Sequence, residues 1–237
     1  MNALLIVGTN TETGKTVLTS ALGAYWQTYR EAESLGILKL IQTGIGDREL
    51  YQKLFNLNQS SEEIAPVQFQ TPVAPPVAAE REGRSVDLEL VWEVFNTLRQ
   101  QRQWVMVEAL GGLGSPVTHE LIVADIARDW GLSAVLVVPV QLGAISQAVA
   151  NVALARASGV KLQGIVLNCV SSCSEQEIAD WTPIDLLQSL TNIPVLGTIP
   201  HLDDPTDLSQ LAQVASDLDL ERLIPSWVVA QYNAIAL

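Results

Sequence analysis

The sequence predicts an α/β fold, a single doubly wound domain over 1–237 whose sheet is mostly parallel and carries helices on both faces. Three observations lead there. Short apolar runs recur along the chain, stretches of helical periodicity separate most of them, and the runs are continuously hydrophobic rather than alternating. Continuous runs suit strands buried on both faces, and strands joined by helices pair in parallel.

The elements follow in order. Ala3–Val7 is the first strand; it stops at Gly8, and a polar loop leads into a helical stretch over Lys15–Tyr29. Gly36–Ile41 is the second strand. The Pro-rich patch QTPVAPPVAAEREG (70–83) reads as a loop inside the domain, because apolar elements resume on both sides. A helix over Asp87–Arg102 precedes the strand Trp104–Val107, and a helix over Leu121–Trp130 precedes the strand Ala134–Val140. Ser146–Ala157 is helical, Gly164–Leu167 and Val195–Ile199 are the last strands, and Asp207–Leu218 closes the alternation. Trp26, Trp92, Trp104 and Trp130 fall on amphipathic or strand positions and read as core. There is no internal repeat and no long linker.

Composition removes several function classes. At 48% hydrophobic, 237 residues can bury a sizeable core. The net charge of −13 argues against a nucleic-acid surface, since phosphate backbones call for clustered Lys and Arg. No apolar run reaches the roughly 18 residues of a membrane span, and the start MNALLIVG lacks the basic flank of a signal peptide. Cys169 and Cys173 form no disulfide framework and have no partner ligands nearby, so they read as reduced thiols of a cytoplasmic protein. Only four lysines occur, Lys15, Lys39, Lys53 and Lys161, which makes their placement informative.

In doubly wound sheets ligands gather beyond the carboxyl ends of the strands. After the first strand comes Gly8-Thr9-Asn10-Thr11-Glu12-Thr13-Gly14-Lys15-Thr16, one residue longer than the usual phosphate loop G-x-x-x-x-G-K-S/T. Gly14 permits close backbone approach, Lys15 brings a point charge, and Thr16 brings a hydroxyl able to ligate Mg²⁺. The competing reading is a polar turn with Thr11 or Thr13 capping the helix. Glu108, closing WVMVE, stands where a phosphate-loop enzyme puts a metal-binding acid, or is a solvated strand-end acid; Gly111-Gly112 behind it favour the former. Lys39 sits between Leu38 and Leu40, costly in a buried strand unless it emerges to meet an anion, or snorkels. Asp47 alone suits a helix cap as well as a metal ligand. His119 and His201 are isolated and take no acid–base role.

Taken together, GTNTETGKT, KLIQTG, VEALGG and NCV resemble dethiobiotin synthetase, whose pattern runs G-T-D/N-T-x-x-G-K-T, K-P-x-x-S/T-G, V-E-G-x-G-G, then a strand ending in Asn. The resemblance runs from Gly8 to about Leu202 and includes the Pro/Ala segment; the long first loop is the family's own length. It implies a P-loop NTPase-like fold and an ATP-dependent ligase of biotin synthesis. By this resemblance Glu12, Thr13, Gly14, Lys15, Thr16 and Val17 surround the ATP phosphates, with Ala109, Leu110 and Gly111 beside the nucleotide. Thr16, Asp47 and Glu108 serve Mg²⁺. Lys15 and Lys39 are catalytic, stabilising the transferring phosphoryl group and a carbamate. Asn168, Cys169, Pro200, His201 and Leu202 lie near adenine. Thr11 and Thr43 contact the substrate, and Gly143, Ala144, Ile145 and Ser146 open a helix that in family dimers receives the substrate carboxylate across the interface. The implied substrates are 7,8-diaminopelargonic acid, CO₂ and ATP. The implied assembly is a homodimer, with no nucleic-acid or membrane partner.

Leu40 departs from the family's proline, and Ala109-Leu110 from its smaller pair; both read as bulkier neighbours of the substrate. A partition or septum-site ATPase is the rival of another class. Those proteins carry a lysine early in the loop where this chain has Asn10, and their membrane-binding forms end in a basic helix, whereas LIPSWVVAQYNAIAL has no lysine or arginine. A small-molecule kinase would clamp phosphates with an arginine-rich lid, and the arginines here are scattered.

Overall fold

The computed structural model describes residues 2–224, so residues 225–237 of the terminal stretch just quoted lie outside the described residues. Six strands form one sheet in the order β2-β5-β1-β6-β7-β8: β1 (Ala3–Gly8), β2 (Leu35–Lys39), β5 (Trp104–Gly112), β6 (Ser133–Pro139), β7 (Lys161–Asn168) and β8 (Val195–Ile199). Every ladder in it is parallel. A separate parallel pair joins β3 (Gln42–Thr43) to β4 (Gln68–Phe69). From β1 the chain crosses to the edge strand β2, returns to β5 between them, and then passes to β6, β7 and β8 on the other side of β1, so the crevice at the carboxyl end of β1 is where such folds place ligands.

Strand period sorts the core into two layers. In β1, Ala3, Leu5 and Val7 enter one cluster while Leu4 and Ile6 enter the other. The first cluster is covered by α5 (Leu88–Gln101), α6 (Val123–Asp129), α7 (Ala144–Ser158) and α9 (Ile184–Thr191). The second is covered by α1 (Lys15–Tyr29), α2 (Asp47–Leu54) and α10 (Leu208–Ser216). Trp26 and Trp104 are buried in the second, whereas Trp92 and Trp130 are half-buried and pack on each other with ring centroids 5.1 Å apart. Short helices α3 (Ser61–Ile64), α4 (Pro75–Arg81), α8 (Glu175–Trp181) and α11 (Leu220–Leu223) complete the described residues.

Three local expectations are corrected. The Pro/Ala patch carries α4: Pro75 and Pro76 occupy the first turn, where their fixed φ helps and their missing N–H costs nothing, and Ala78 and Ala79 bury against the core. Glu108 does not close its strand, because β5 runs on to Gly112 and pairs again with Gly8 after a register shift. Leu40 points into the core rather than toward a substrate, and its N–H donates to the Glu108 carbonyl at 3.0 Å, a bond a proline cannot make.

Candidate active site

The register of β2 on β5 sets Lys39 directly beside Glu108, on the face that α1 covers. Lys39 Nζ lies 2.6 Å from Glu108 Oε1, 2.5 Å from Asp47 Oδ2 and 3.3 Å from the Ala109 carbonyl, so its three protons each have an acceptor. Thr16 Oγ1 sits between the same carboxylates, 2.9 Å from Asp47 Oδ1 and 3.1 Å from Glu108 Oε1. Burial alone would drive the Lys39 ammonium toward its neutral form, but Glu108 and Asp47 outweigh it and hold the pKa above the ordinary lysine value. Burial likewise opposes ionisation of Asp47, and Lys39 overcomes it, so that carboxyl titrates below its usual range.

Lys15, also buried, folds back so that Nζ donates to the Asn10 carbonyl at 3.1 Å. Its pKa is lowered by burial first and by the charge of Lys39 second, against the opposing pull of Glu108 and Asp47. The loop is shaped for close approach: Gly14 has φ 96°, and a Cβ there would lie 2.1 Å from Asn168 Nδ2. Asn168 in turn donates to the Thr13 carbonyl at 3.1 Å.

A recess of about 340 Å³ is lined by Glu12, Gly14, Thr16 and Val17, by Asn168 and Cys169 after β7, and by Pro200, His201 and Leu202 after β8. Burial, followed by the neighbouring Cys173, pushes the Cys169 thiol up to about 11, so it is no nucleophile. Ala109 and Gly111 are buried and Leu110 is half-buried; a Cβ on Gly111 would meet Ser115 Oγ at 2.3 Å and approach Thr11. Gly143, Ile145 and Ser146 are not part of this recess. They line a different groove, of about 600 Å³, with Leu142, Trp181 and Leu190, while Ala144 is buried at the start of α7. Thr11 is exposed and Thr43 half-buried, and neither side chain bonds to the charged cluster.

Two residues of the cluster escaped sequence reasoning. Thr19 Oγ1 donates to Glu108 Oε2 at 2.8 Å, and the fully buried Tyr51 Oη makes a short hydrogen bond to the same oxygen. Their signal is spacing: Thr19 lies one turn beyond Thr16, and Tyr51 one turn beyond Asp47. With the Thr19 and Tyr51 hydroxyls turned to Glu108 Oε2, the cluster offers as oxygen donors the carboxylates of Asp47 and Glu108 and the hydroxyl of Thr16. Among the described residues no group of three or more His, Cys, Asp or Glu could hold a metal. An ion here would therefore complete its shell from water and phosphate, the habit of Mg²⁺.

Residues 2–209 match the protein family described as an AAA domain. An ATP-dependent dethiobiotin synthetase of Gloeothece citriformis is 60% identical over 225 residues, covering 95% of this chain and 100% of the relative. The same enzyme of Crocosphaera subtropica is 57% identical over 94% of this chain and 100% of its own length. Among solved structures the MinD cell division protein of Aquifex aeolicus superposes with a TM-score of 0.55, covering 98% and 97% of the two chains. At 13% identity that likeness bears on the fold alone.

Proposed function

The chain belongs to the family of ATP-dependent dethiobiotin synthetases and makes dethiobiotin in an ATP-dependent step; from that premise we propose how its own residues carry the reaction. The observation that supports the proposal most is the meeting of Lys39, Asp47 and Glu108 beside Lys15 and Thr16 at the carboxyl edge of the sheet. One amine of 7,8-diaminopelargonic acid adds to CO₂ and loses a proton, giving a carbamate. A carbamate oxygen attacks the γ-phosphorus of ATP while the bond to ADP breaks, leaving a carbamic–phosphoric anhydride. The second amine then attacks the carbonyl carbon, the C–O bond to phosphate breaks, and phosphate and a proton leave the cyclic urea.

Each step moves negative charge between oxygens, so the chain's task is to hold reactants in line and neutralise charge. Lys15 takes the phosphates when its fold back onto Asn10 is released, and Lys39 takes the carbamate when its hold on Asp47 and Glu108 is released. Gly14 and the first turn of α1 present backbone N–H groups to phosphate oxygens. Thr16, Asp47 and Glu108 would hold Mg²⁺, which supplies charge neutralisation at the phosphates. Asn168, Cys169 and Pro200–Leu202 receive the base. Thr11 and Thr43 bind the diamine.

The substrate's carboxylate is read to dock at the start of α7, at Gly143–Ser146, in a homodimer. What supports the dimer is apolar exposure there: Leu142 is 78% exposed and Leu190 52% exposed, around the groove lined by Ile145 and Trp181. The whole chain is read as one unit in the cytoplasm, without nucleic-acid or membrane partners; among the described residues no helix is long and apolar enough to cross a membrane.

ADP release by the pure protein is expected to be slow with ATP and Mg²⁺ alone. It should rise by orders of magnitude on adding 7,8-diaminopelargonic acid with bicarbonate, and mass spectrometry should find the cyclic urea. Turnover indifferent to the diamine, or responsive to DNA or vesicles instead, would overturn the assignment.

A further inference from the structure

Glu108 is fully buried, and its two oxygens face different partners. Oε1 accepts from Lys39 at 2.6 Å and competes with Asp47 Oδ1 for the single Thr16 proton, 3.1 Å against 2.9 Å, on the side where the metal is read to bind. Oε2 accepts from Thr19 at 2.8 Å and from Tyr51 through the short bond. The proton count separates these last two donors. Thr19 has one hydroxyl proton and two acceptors in reach, Oε2 and the Lys15 carbonyl one turn back at 2.9 Å. Tyr51 donates to Oε2, and its ring is packed in the same core as Leu18 and Leu22 and stacked on Phe55 at 6.4 Å. Asp47 and Tyr51 are four apart on α2, so one helix face delivers both a carboxylate of the cluster and the hydroxyl that orients the other carboxylate.

We propose that Tyr51 is the positioning residue of the metal-binding carboxylate: it holds Glu108 Oε2 turned away from Thr16 and Asp47, so that Oε1, on their side and beside Lys39, is the one oxygen presented to a divalent cation. The proposal rests on the reading of Glu108 as a metal ligand given under Proposed function. One-oxygen coordination suits Mg²⁺, which keeps a tight octahedron. Ca²⁺ accepts both oxygens of a carboxylate, so blocking Oε2 also discriminates against it.

The test is calorimetric titration of the full chain with ADP in Mg²⁺, in Ca²⁺ and in EDTA, which isolates the metal's contribution as a ratio of affinities. Glu108→Gln should lose most of the Mg²⁺ enhancement. Tyr51→Phe keeps the ring and should leave the EDTA affinity unchanged while lowering the Mg²⁺ enhancement about tenfold. Losing an outer partner of a ligand costs about 10–100-fold, and Thr19 still holds the oxygen part of the time. The Ca²⁺ enhancement should fall less, so the preference for Mg²⁺ shrinks. If Glu108→Gln loses the enhancement and Tyr51→Phe keeps both it and the Mg²⁺ preference, the positioning role fails while the metal reading stands. If Glu108→Gln also keeps it, both fail. A Tyr51→Phe protein that melts earlier yet binds ADP equally weakened with and without metal shows a merely structural tyrosine and overturns the proposal. Should Tyr51→Phe not fold, Thr19→Val decides: most of the enhancement should remain, and a loss as large as that of Glu108→Gln would mean that Thr19, not Tyr51, orients the carboxylate.

Discussion

Helices α1 and α7 follow the two central strands β1 and β6, and each starts on a glycine in the left-handed region, Gly14 at φ 96° and Gly143 at φ 87°, with no side chain capping the start. Both leave first-turn N–H groups without partners inside the helix, the backbone device that receives anions. Their surroundings differ. The start of α1 is walled by buried Lys15 and Lys39, by Asn168 and by two carboxylates, whereas Gln141–Ser146 holds no charged residue and Leu142 beside it is 78% exposed. The same backbone geometry thus stands in two different electrostatic settings, one furnished with charged side chains and one without.

The comparison breaks most visibly at Lys39. Lys39→Ala should cost about 10²–10³ in turnover, the usual effect of removing one preorganised charge at a developing anion. It should also lower the melting temperature in EDTA, since the buried Glu108 and half-buried Asp47 would lose the ammonium that bonds both, a cost of up to roughly 3–5 kcal/mol. Mg²⁺ should restore much of that loss. If turnover per folded molecule is kept, Lys39 is structural, and the contrast between the two helix starts loses its chemical meaning.

Much of this was legible because it rests on local rules. Continuous apolar runs marked all six strands of the main sheet, and the loop from Gly8 to Thr16 announced itself by residue type. The strand-pairing register that sets Lys39 beside Glu108 was not legible, because it depends on the non-local match of β2 to β5. Nor was α2, whose eight residues are largely polar and too short to show a period, so Tyr51 had no element to sit on. The helix at Pro75–Arg81 was hidden by its prolines, which punctuate loops and first turns alike.

Paired glycine substitutions sharpen the comparison on the backbone itself. Gly14→Ala adds left-handed strain of about 1–2 kcal/mol, and its Cβ would displace Asn168 from the Thr13 carbonyl. ADP affinity should fall at least tenfold, measured by calorimetry. Gly143→Ala carries similar strain, but nothing lies within 4 Å of its Cβ. It should cost about 1 kcal/mol of stability and leave ADP affinity unchanged. Equal losses of nucleotide binding would show that the two starts are not separate sites.

The smallest effect concerns what holds Asp47 over Lys39. At the start of α2, Glu49 Oε2 accepts from the Gly46 N–H and from Gln42 Nε2, each at 2.9 Å, and Gln42 Oε1 accepts from the Arg48 N–H. Burial is the largest single influence and disfavours the Glu49 charge, but the hydrogen bonds from the Gly46 N–H, Gln42 and Arg48 together outweigh it and bring its pKa down to about 2. A depressed carboxylate contributes stability above its unfolded value of 4.5 and loses it as pH falls toward the folded value. Glu49 is 37% exposed, so water screens the gain to less than about 1 kcal/mol. Glu49→Gln should therefore lower the melting temperature by a few degrees at neutral pH, and the difference from the parent should shrink steadily below pH 4.5. The α7 start has no acidic residue to titrate, so Gly143→Ala should show a melting difference that does not change over the same range. If Glu49→Gln shows that same flat difference, the carboxylate does not pin α2, and the aim of Asp47 at Lys39 comes from packing of Tyr51 and Leu54 instead.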